Sequence, residues 1–324
     1  MNTTFIINGG AGRVITAIPA LEKYEKLNPD DDFKIIVHGW EQLFWSHPTL
    51  QKRTFGIHQK GLFDQLIKNS RVIVPEPYQL NSFFNQKTNL VEAFDEIINN
   101  TNSQDDLNYN CLYLNTFEIN RAKEFIELFK FETKHKKLIV FQPYGSAVEI
   151  VNKQPIDKSN RSLSSDAYFK IASAVSNDAV VIYAGSPMFK HPSDNFTINI
   201  DEQQNYLRIL MSVISQCDLF VGVCSVGQHI ARMFNKPSIV LMGATNETNF
   251  SYLDKHIIYR KKDRVPVYVP WRLSEGDCEF ADRENNGIMD FDQREITEII
   301  ELIKKQLNQD VGFYSETSLL INYE

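Results

Sequence analysis

Short runs of consecutive apolar residues alternate along this chain with segments whose apolar residues recur every three or four positions. In the first half, Thr4 to Ile7 reads as a buried strand, Phe33 to Val37, Arg71 to Val74 and Asn110 to Leu114 read as strands, and helical patterns cover Asn89 to Asn99 and Asn120 to Phe131. A helix also follows the first run, with Val14, Ala17, Ile18, Leu21 and Tyr24 on its apolar side. Pro19 removes a backbone bond to Ile15 and predicts an irregular first turn there. The alternation restarts with a strand at Leu138 to Gln142, then a long polar loop containing Arg161, a helix at Asp166 to Val175 and a strand at Ala179 to Tyr183. Tyr206 to Ile214 is helical, with Leu207, Leu210, Met211 and Ile214 on one face, and His256 to Tyr259 reads as an edge strand. The last helix places Ile296, Ile299, Ile300, Ile303 and Leu307 at helical spacing. Strands alternating with helices imply parallel sheet covered on both faces. A length of 324 residues implies two domains, divided at the restart: 1–136 and 137–324.

Cys217 to Glu247 is the most informative stretch. It reads as a strand (Leu219 to Val221), a small-residue turn, a helix with Val226, Ile230, Met233 and Phe234 as its stripe, a second strand (Ser238 to Met242) and a Gly-Ala-Thr turn. Ser225 is placed to cap the helix. A strand feeding a helix N-terminus through small residues makes an anion site, because first-turn N–H groups lack helical partners. A phosphate or pyrophosphate is the expected occupant.

Asn8-Gly9-Gly10-Ala11-Gly12 also joins a strand to a helix, but a dinucleotide frame begun at Gly10 has Ile15 where the third glycine belongs. The next strand ends in His38-Gly39-Trp40, without an acid for a ribose. NAD is therefore not expected, and the turn lets a ligand or the other domain approach the backbone.

Net charge of −7 argues against a protein whose main task is coating nucleic acid. Four cysteines without metal spacing (Cys111, Cys217, Cys224, Cys278) read as free thiols in a reducing compartment. No cleavable apolar leader and no membrane-length apolar run are visible, so a cytoplasmic protein without an integral membrane segment is expected.

Two motifs carry a family resemblance. GRVITAIPAL (Gly12 to Leu21) resembles the G-D-V-x-x-T-x-P-A-L signature of family 9 glycosyltransferases, the lipopolysaccharide heptosyltransferases. CDLFVGVCSVGQHIARMFNKPSIVLMGAT resembles that family's A-D-L-x-I-G-x-D-S-G-x-x-H-L-A-x-x-x-x-K-P-x-x-x-L-F-G-x-T. Gly12, Thr16 and Pro19 match in the first; Ser225, His229, Lys236, Pro237, Gly243 and Thr245 match in the second. Arg13 stands where the family has the aspartate proposed to activate the acceptor, and Cys224 where it has the aspartate before the serine.

The resemblance implies an α/β fold of GT-B type: two Rossmann-like domains facing across a cleft, acceptor domain first and donor domain second, with the C-terminal helix packing back. It implies an inverting, metal-independent glycosyltransferase with a nucleotide sugar as donor substrate and no cofactor. Expected donor contacts are Tyr144, Gly145, Ser146, Arg161, Ser225, Val226, Gly227, Gln228, His229, Gly243 and Thr245. Gly10, Ala11, Gly12 and Arg13 are expected at the acceptor, with Arg13, His38 and Glu41 as catalytic candidates. The acceptor is read as a surface glycan. The rival is a hydroxylated DNA base, as glycosylated by some bacteriophage enzymes. The loop Arg260 to Arg272, which includes Lys261, Lys262, Arg264 and Trp271, together with Lys52, Arg53, His58 and Lys60, would suit a phosphate backbone. An epimerase of the same architecture and a non-catalytic nucleotide-sugar binder complete the alternatives.

Overall fold

The computed structural model describes residues 2–101, 107–134, 137–145, 148–151, 154–157, 159–199, 206–261 and 287–309. The chain divides into two compact units, the first reaching Asn115 and the second starting at Thr116. Among the described residues no helix is long and apolar enough to cross a membrane.

The first unit contains β1 (Thr3–Ile7), α1 (Ala11–Leu27), β2 (Lys34–Val37), β3 (Thr54–Gly56), β4 (Arg71–Ile73), α2 (Asn81–Phe84) and α3 (Leu90–Asn99). Its strands lie in the order β3-β2-β1-β4, every pair parallel. Phe5, Tyr24 and Phe33 pack edge to face where α1 covers the sheet, with centroids 4.8 to 5.8 Å apart. Helix α3 packs on α1 and starts with a full capping box, Asn89 with Glu92. Between the two helices the buried pair Lys23–Asp95 closes at 2.8 Å, and Asn99 donates to the second Asp95 oxygen at 2.6 Å.

Two expectations for this unit are corrected. Helix α1 runs without interruption through Pro19, which is buried. At the first turn the Gly10 carbonyl accepts from the N–H of both Arg13 and Val14, a sharing typical of helix starts and remote from the proline. Asn110 to Leu114 forms no strand. Asn108 bridges the Asn110 N–H and the Glu22 carboxylate on α1, so this stretch is anchored by side chains, with Cys111 and Leu112 buried, and joins no ladder.

The second unit opens with α4 (Thr116–Thr133), followed by β5 (Leu138–Gln142), β6 (Val148–Val151), β7 (Gln154–Asp157), α5 (Ser165–Val175), β8 (Val180–Gly185) and β9 (Phe196–Asn199). Then come α6 (Tyr206–Ile214), β10 (Leu219–Val223), α7 (Val226–Met233), β11 (Ser238–Leu241), α8 (Glu247–Phe250), β12 (His256–Tyr259) and α9 (Gln293–Asn308). Helix α4 belongs here because Arg208 on α6 forks onto Glu118 at 2.8 and 2.5 Å, and Phe125 and Phe129 pack on Phe196. The main sheet is parallel throughout, in the order β12-β11-β10-β5-β8-β9, with β12 at the edge as its sequence predicts. Strands β5, β8, β10 and β11 are buried along their length, which their uninterrupted apolar runs require. The loop expected around Arg161 contains an antiparallel hairpin, β6 with β7.

From β5 the chain builds the sheet toward β9, then returns to the other side of β5 with β10. The carboxyl ends of β5 and β10 are therefore a topological switch point, the place where open α/β sheets hold ligands. In the first unit the corresponding point lies between β1 and β4.

Candidate active site

At the switch point of the second unit, β5 ends in Gln142. Its carboxamide oxygen accepts from the Gly227 N–H at 3.0 Å, and its Nε2 donates to the Ser225 hydroxyl at 3.4 Å. Ser225 itself makes no capping bond, contrary to the sequence expectation, so Gln142 serves the first turn of α7 from a neighbouring strand. A side chain at Gly227 would place its first carbon 2.4 Å from that Gln142 oxygen and 2.6 Å from the Phe220 ring, so only glycine fits.

Behind this turn lies a buried polar cluster. Thr245, in the turn after β11, and Gln228, in α7, are 2% and 0% exposed, and Thr245 Oγ1 and Gln228 Nε2 have no hydrogen-bond partner among the described residues. Both side chains and that of Arg161 abut the Cys224 thiol. Burial raises the thiol's pKa, and those three neighbours partly counter it. Buried donors without partners are costly, and a ligand with acceptor oxygens removes the cost.

Arg161 reaches the cluster from a loop held on two sides. Its Nε donates to the Ser159 hydroxyl at 2.8 Å. Asn160, left-handed at φ 52°, turns its carbonyl to the Ala244 N–H at 3.2 Å. The loops meet so closely that a side chain on Gly243 would start 2.2 Å from that carbonyl oxygen. Gly145 spends its N–H on the Ser162 hydroxyl at 2.9 Å, fixing the loop after β5.

The remaining donor candidates are placed differently. Tyr144 is 3% exposed and packs among Tyr168, Tyr183 and Phe189, and burial pushes its phenol up to about 12. His229 is bonded through Nδ1 to the Tyr252 hydroxyl at 2.8 Å, and burial lowers its pKa to about 4, so it is a neutral packing residue. Val226 is half-buried, and Ser146 lies outside the described residues. The structure thus brings Arg161, Ser225, Gly227, Gln228, Gly243 and Thr245 to one place. Sequence reasoning missed Gln142, Asp157, Ser159 and Asn160; the polar Gln142 ending an apolar strand was the one visible signal.

In the first unit, Gly9 adopts φ 96° and its carbonyl accepts from Trp40 Nε1 at 3.1 Å, joining the turns after β1 and β2. A side chain on Gly10 would meet nothing within 4 Å, so space adjoins this exposed turn. Ala11 is buried and Gly12 half-buried at the start of α1. Arg13 points inward: 6% exposed, it donates to the Pro75 carbonyl at 2.9 Å and to Glu76 at 3.0 Å, beside the rings of Tyr78 and Phe94. It ties β1 to β4 across their switch point. His38 is exposed at the end of β2, 5.4 Å from the ring of His58. The Glu41 carboxylate lies against Gly56, where an added side chain would start 1.9 Å from Oε1. Among the described residues Glu41 makes no hydrogen bond or ion pair, whereas Glu76 is engaged by Arg13 and the Tyr78 N–H.

No family model matches the sequence, and no curated protein matches it. Solved structures do. A family 9 glycosyltransferase from Veillonella parvula superposes with a TM-score of 0.64 at 13% identity, covering 94% of this chain and 97% of that one. The chain has the fold of the family 9 glycosyltransferases. E. coli ADP-heptose lipopolysaccharide heptosyltransferase II shares it at a TM-score of 0.61 and 12% identity, covering 95% of this chain and 98% of that one. The iron-containing dodecameric glycosyltransferase TibC of enterotoxigenic E. coli gives 0.59 at 9% identity, over 95% and 77% of the two chains. Against this family fold, the Gln142, Arg161 and Thr245 cluster lies at the carboxyl edge of the second sheet, and the two aspartate-to-Arg13 and aspartate-to-Cys224 departures both fall on buried side chains.

Proposed function

We propose that the protein transfers a sugar from a nucleotide-sugar donor to an acceptor hydroxyl of a surface glycan, with inversion and without a metal ion. The observation that carries this is the meeting, beside the α7 N-terminus, of Arg161 with the buried Thr245 Oγ1 and Gln228 Nε2, which have no hydrogen-bond partner among the described residues. Fixed positive charge and N–H groups where a diphosphate departs are what such a transfer needs. The structurally similar E. coli enzyme, by its name, uses ADP-heptose. Among the described residues no group of three His, Cys, Asp or Glu side chains is placed to hold a metal ion, and in this reading Arg161 and the helix start neutralise the charge.

The acceptor oxygen attacks the anomeric carbon, the bond from that carbon to the diphosphate oxygen breaks, and the hydroxyl proton passes to a base. Glu41 is our choice of base, a carboxylate at the carboxyl edge of the first sheet that no cation among the described residues pairs with. Arg13 then acts as the brace that holds the turn after β1. Of the charges singled out for a DNA backbone, Arg53 is paired with Glu25 and Asp32, Arg260 with Glu247 and Lys261 with Glu295, whereas Lys52, His58 and Lys60 are exposed. Lys262, Arg264, Trp271 and Arg272 lie outside the described residues. Cys111, Cys217 and Cys224 are buried thiols outside any disulfide, and Cys278 lies outside the described residues.

A panel of nucleotide sugars, with ADP and UDP, tests the donor site by thermal shift. A ligand at a hundred times its Kd adds about 2.7 kcal/mol of stability, so at least one member must raise the melting temperature. A flat response across the panel sinks the reading. With the donor known, Glu41→Gln is expected to abolish the acidic limb of the pH–rate profile and cut the limiting rate by about 10²-fold or more; an unchanged limiting rate removes Glu41 as the base.

A further inference from the structure

We propose that Asp157, the last residue of β7, is a positioning residue that sets the orientation of Arg161; this rests on the donor site assigned above. Its carboxylate collects three donors: the Ser159 N–H at 2.8 Å, the Ser159 hydroxyl, and the Ser162 hydroxyl at 2.5 Å. A serine hydroxyl has one proton to donate. Committing both protons to Asp157 fixes each oxygen as an acceptor for something else. Ser159 Oγ accepts from Arg161 Nε at 2.8 Å, and Ser162 Oγ accepts from the Gly145 N–H at 2.9 Å. One carboxylate thereby orients both the cation and the loop after β5 that flank the switch point.

A hydroxyl links the Arg161 Nε to the carboxylate, since Ser159 Oγ donates to Asp157 and accepts from Arg161. A bidentate grip on a phosphate uses the terminal guanidinium nitrogens, so pinning Nε fixes the plane in which they are presented. The Asn160 carbonyl accepts from the Ala244 N–H, and the Asp157 carbonyl accepts from the Asn160 N–H at 3.0 Å, so the Asp157 carboxylate adds a side-chain anchor to a loop the backbone also holds. Burial works to raise the Asp157 pKa, but the two hydroxyls, the Ser159 N–H and nearby Arg161 outweigh it, and the carboxyl titrates below its usual value.

Calorimetry with ADP and UDP, together with the ¹⁵Nε resonance of Arg161 in the ligand-free protein, tests the proposal. In Asp157→Asn the Nε proton is expected to lose its protection from exchange, and the Kd for the nucleotide that wild type binds is expected to rise about tenfold or more. Ser159→Ala should reproduce both effects if Asp157→Asn folds poorly. In an Arg161→Ala background Ser159→Ala should not weaken binding further, because Ser159 acts through the arginine, and Asp157→Asn should keep only the smaller part that it exerts through Ser162 and Gly145. An unchanged Nε resonance and Kd in both variants, or an equal loss in the Arg161→Ala background, overturns the positioning role. Wild-type protein that binds neither nucleotide overturns the donor-site reading instead, and the resonance then decides the Asp157 network by itself.

Discussion

Arg161→Ala is expected to lower the rate of sugar transfer by about 10²–10³-fold, the usual loss when one preorganised donor to developing charge is removed. The expectation follows from the surroundings of the arginine. Its loop is fixed through Ser159 and through the Asn160 carbonyl, so little reorganisation is needed when negative charge develops. The neighbouring Thr245 and Gln228 are buried with unpartnered atoms, and a low-dielectric setting enlarges the contribution of a guanidinium to a departing diphosphate. Arg161→Lys should recover only part of the rate, since an ammonium does not reproduce a planar two-point grip. Steady-state transfer with the donor found by thermal shift is the measurement, with kcat and donor KM reported separately. Wild-type turnover in Arg161→Ala, with the fold intact by circular dichroism, would show that the diphosphate is stabilised elsewhere.

Acid destabilisation below about pH 6.5 is the second large effect expected, and it originates behind the site. His229 and His256 are 6% and 3% exposed and form a buried network with Tyr252, Ser251 and Gln228. Burial lowers the pKa of His229 to about 4. Burial also takes His256 well below its usual value, with the charge of Arg232 and the proximity of His229 adding to the effect. Asp254, paired with Arg232 at 3.3 Å, is the acidic partner of this cluster. Above pH 6.5 both histidines are neutral in the folded and unfolded chain and contribute no pH dependence. As the pH falls from 6.5 toward the folded values, the unfolded chain takes up protons that the folded chain refuses. Stability is therefore lost over that window, by about 1.4 kcal/mol per pH unit for each histidine. Carboxylates whose folded pKa is lowered, Asp157 among them, act below about 3.8, whereas Asp194, whose pKa burial raises, takes up its proton earlier in the folded chain and offsets part of the loss. Urea unfolding between pH 7.5 and 4.5 should show the slope, and His229→Gln, which keeps a partner for the Tyr252 hydroxyl, should roughly halve it. An identical slope in His229→Gln would mean that other groups carry the acid sensitivity.

Much of the architecture was legible in the sequence. Runs such as Leu138 to Phe141 and Ile239 to Met242 are apolar at every position because both faces of a parallel strand are covered, and that pattern needs no knowledge of neighbours. Helix α3 was legible from the helical pattern over Asn89 to Asn99, and the structure adds the capping box of Asn89 with Glu92. Asn110 to Leu114 has the composition of a strand without the ladder, since a strand is made by its neighbour and composition cannot supply one. Pro19 shows the converse: a local penalty that the buried packing of α1 absorbs.

The candidate site divides along the same line. Ser225, Gly227, Gln228, Gly243 and Thr245 could be found by reading because they belong to one contiguous strand–helix–strand segment, whose small residues and helix start mark an anion site locally. Other features depended on contacts between distant segments. The cap on α7 comes from Gln142, 85 positions away from Gly227. Arg161 was visible as a loop charge, but its place beside Cys224 depends on the Asn160–Ala244 bond. Arg13 sits in a family signature, yet its partner Glu76 is 63 residues distant, and that pairing turns it inward as a brace. Sequence by itself determined the alternation of strands and helices and the location of a phosphate-binding turn, because burial periodicity and helix ends are local properties. Only the tertiary structure decided which side chains complete that turn, because hydrogen bonds across a switch point join segments far apart in the sequence.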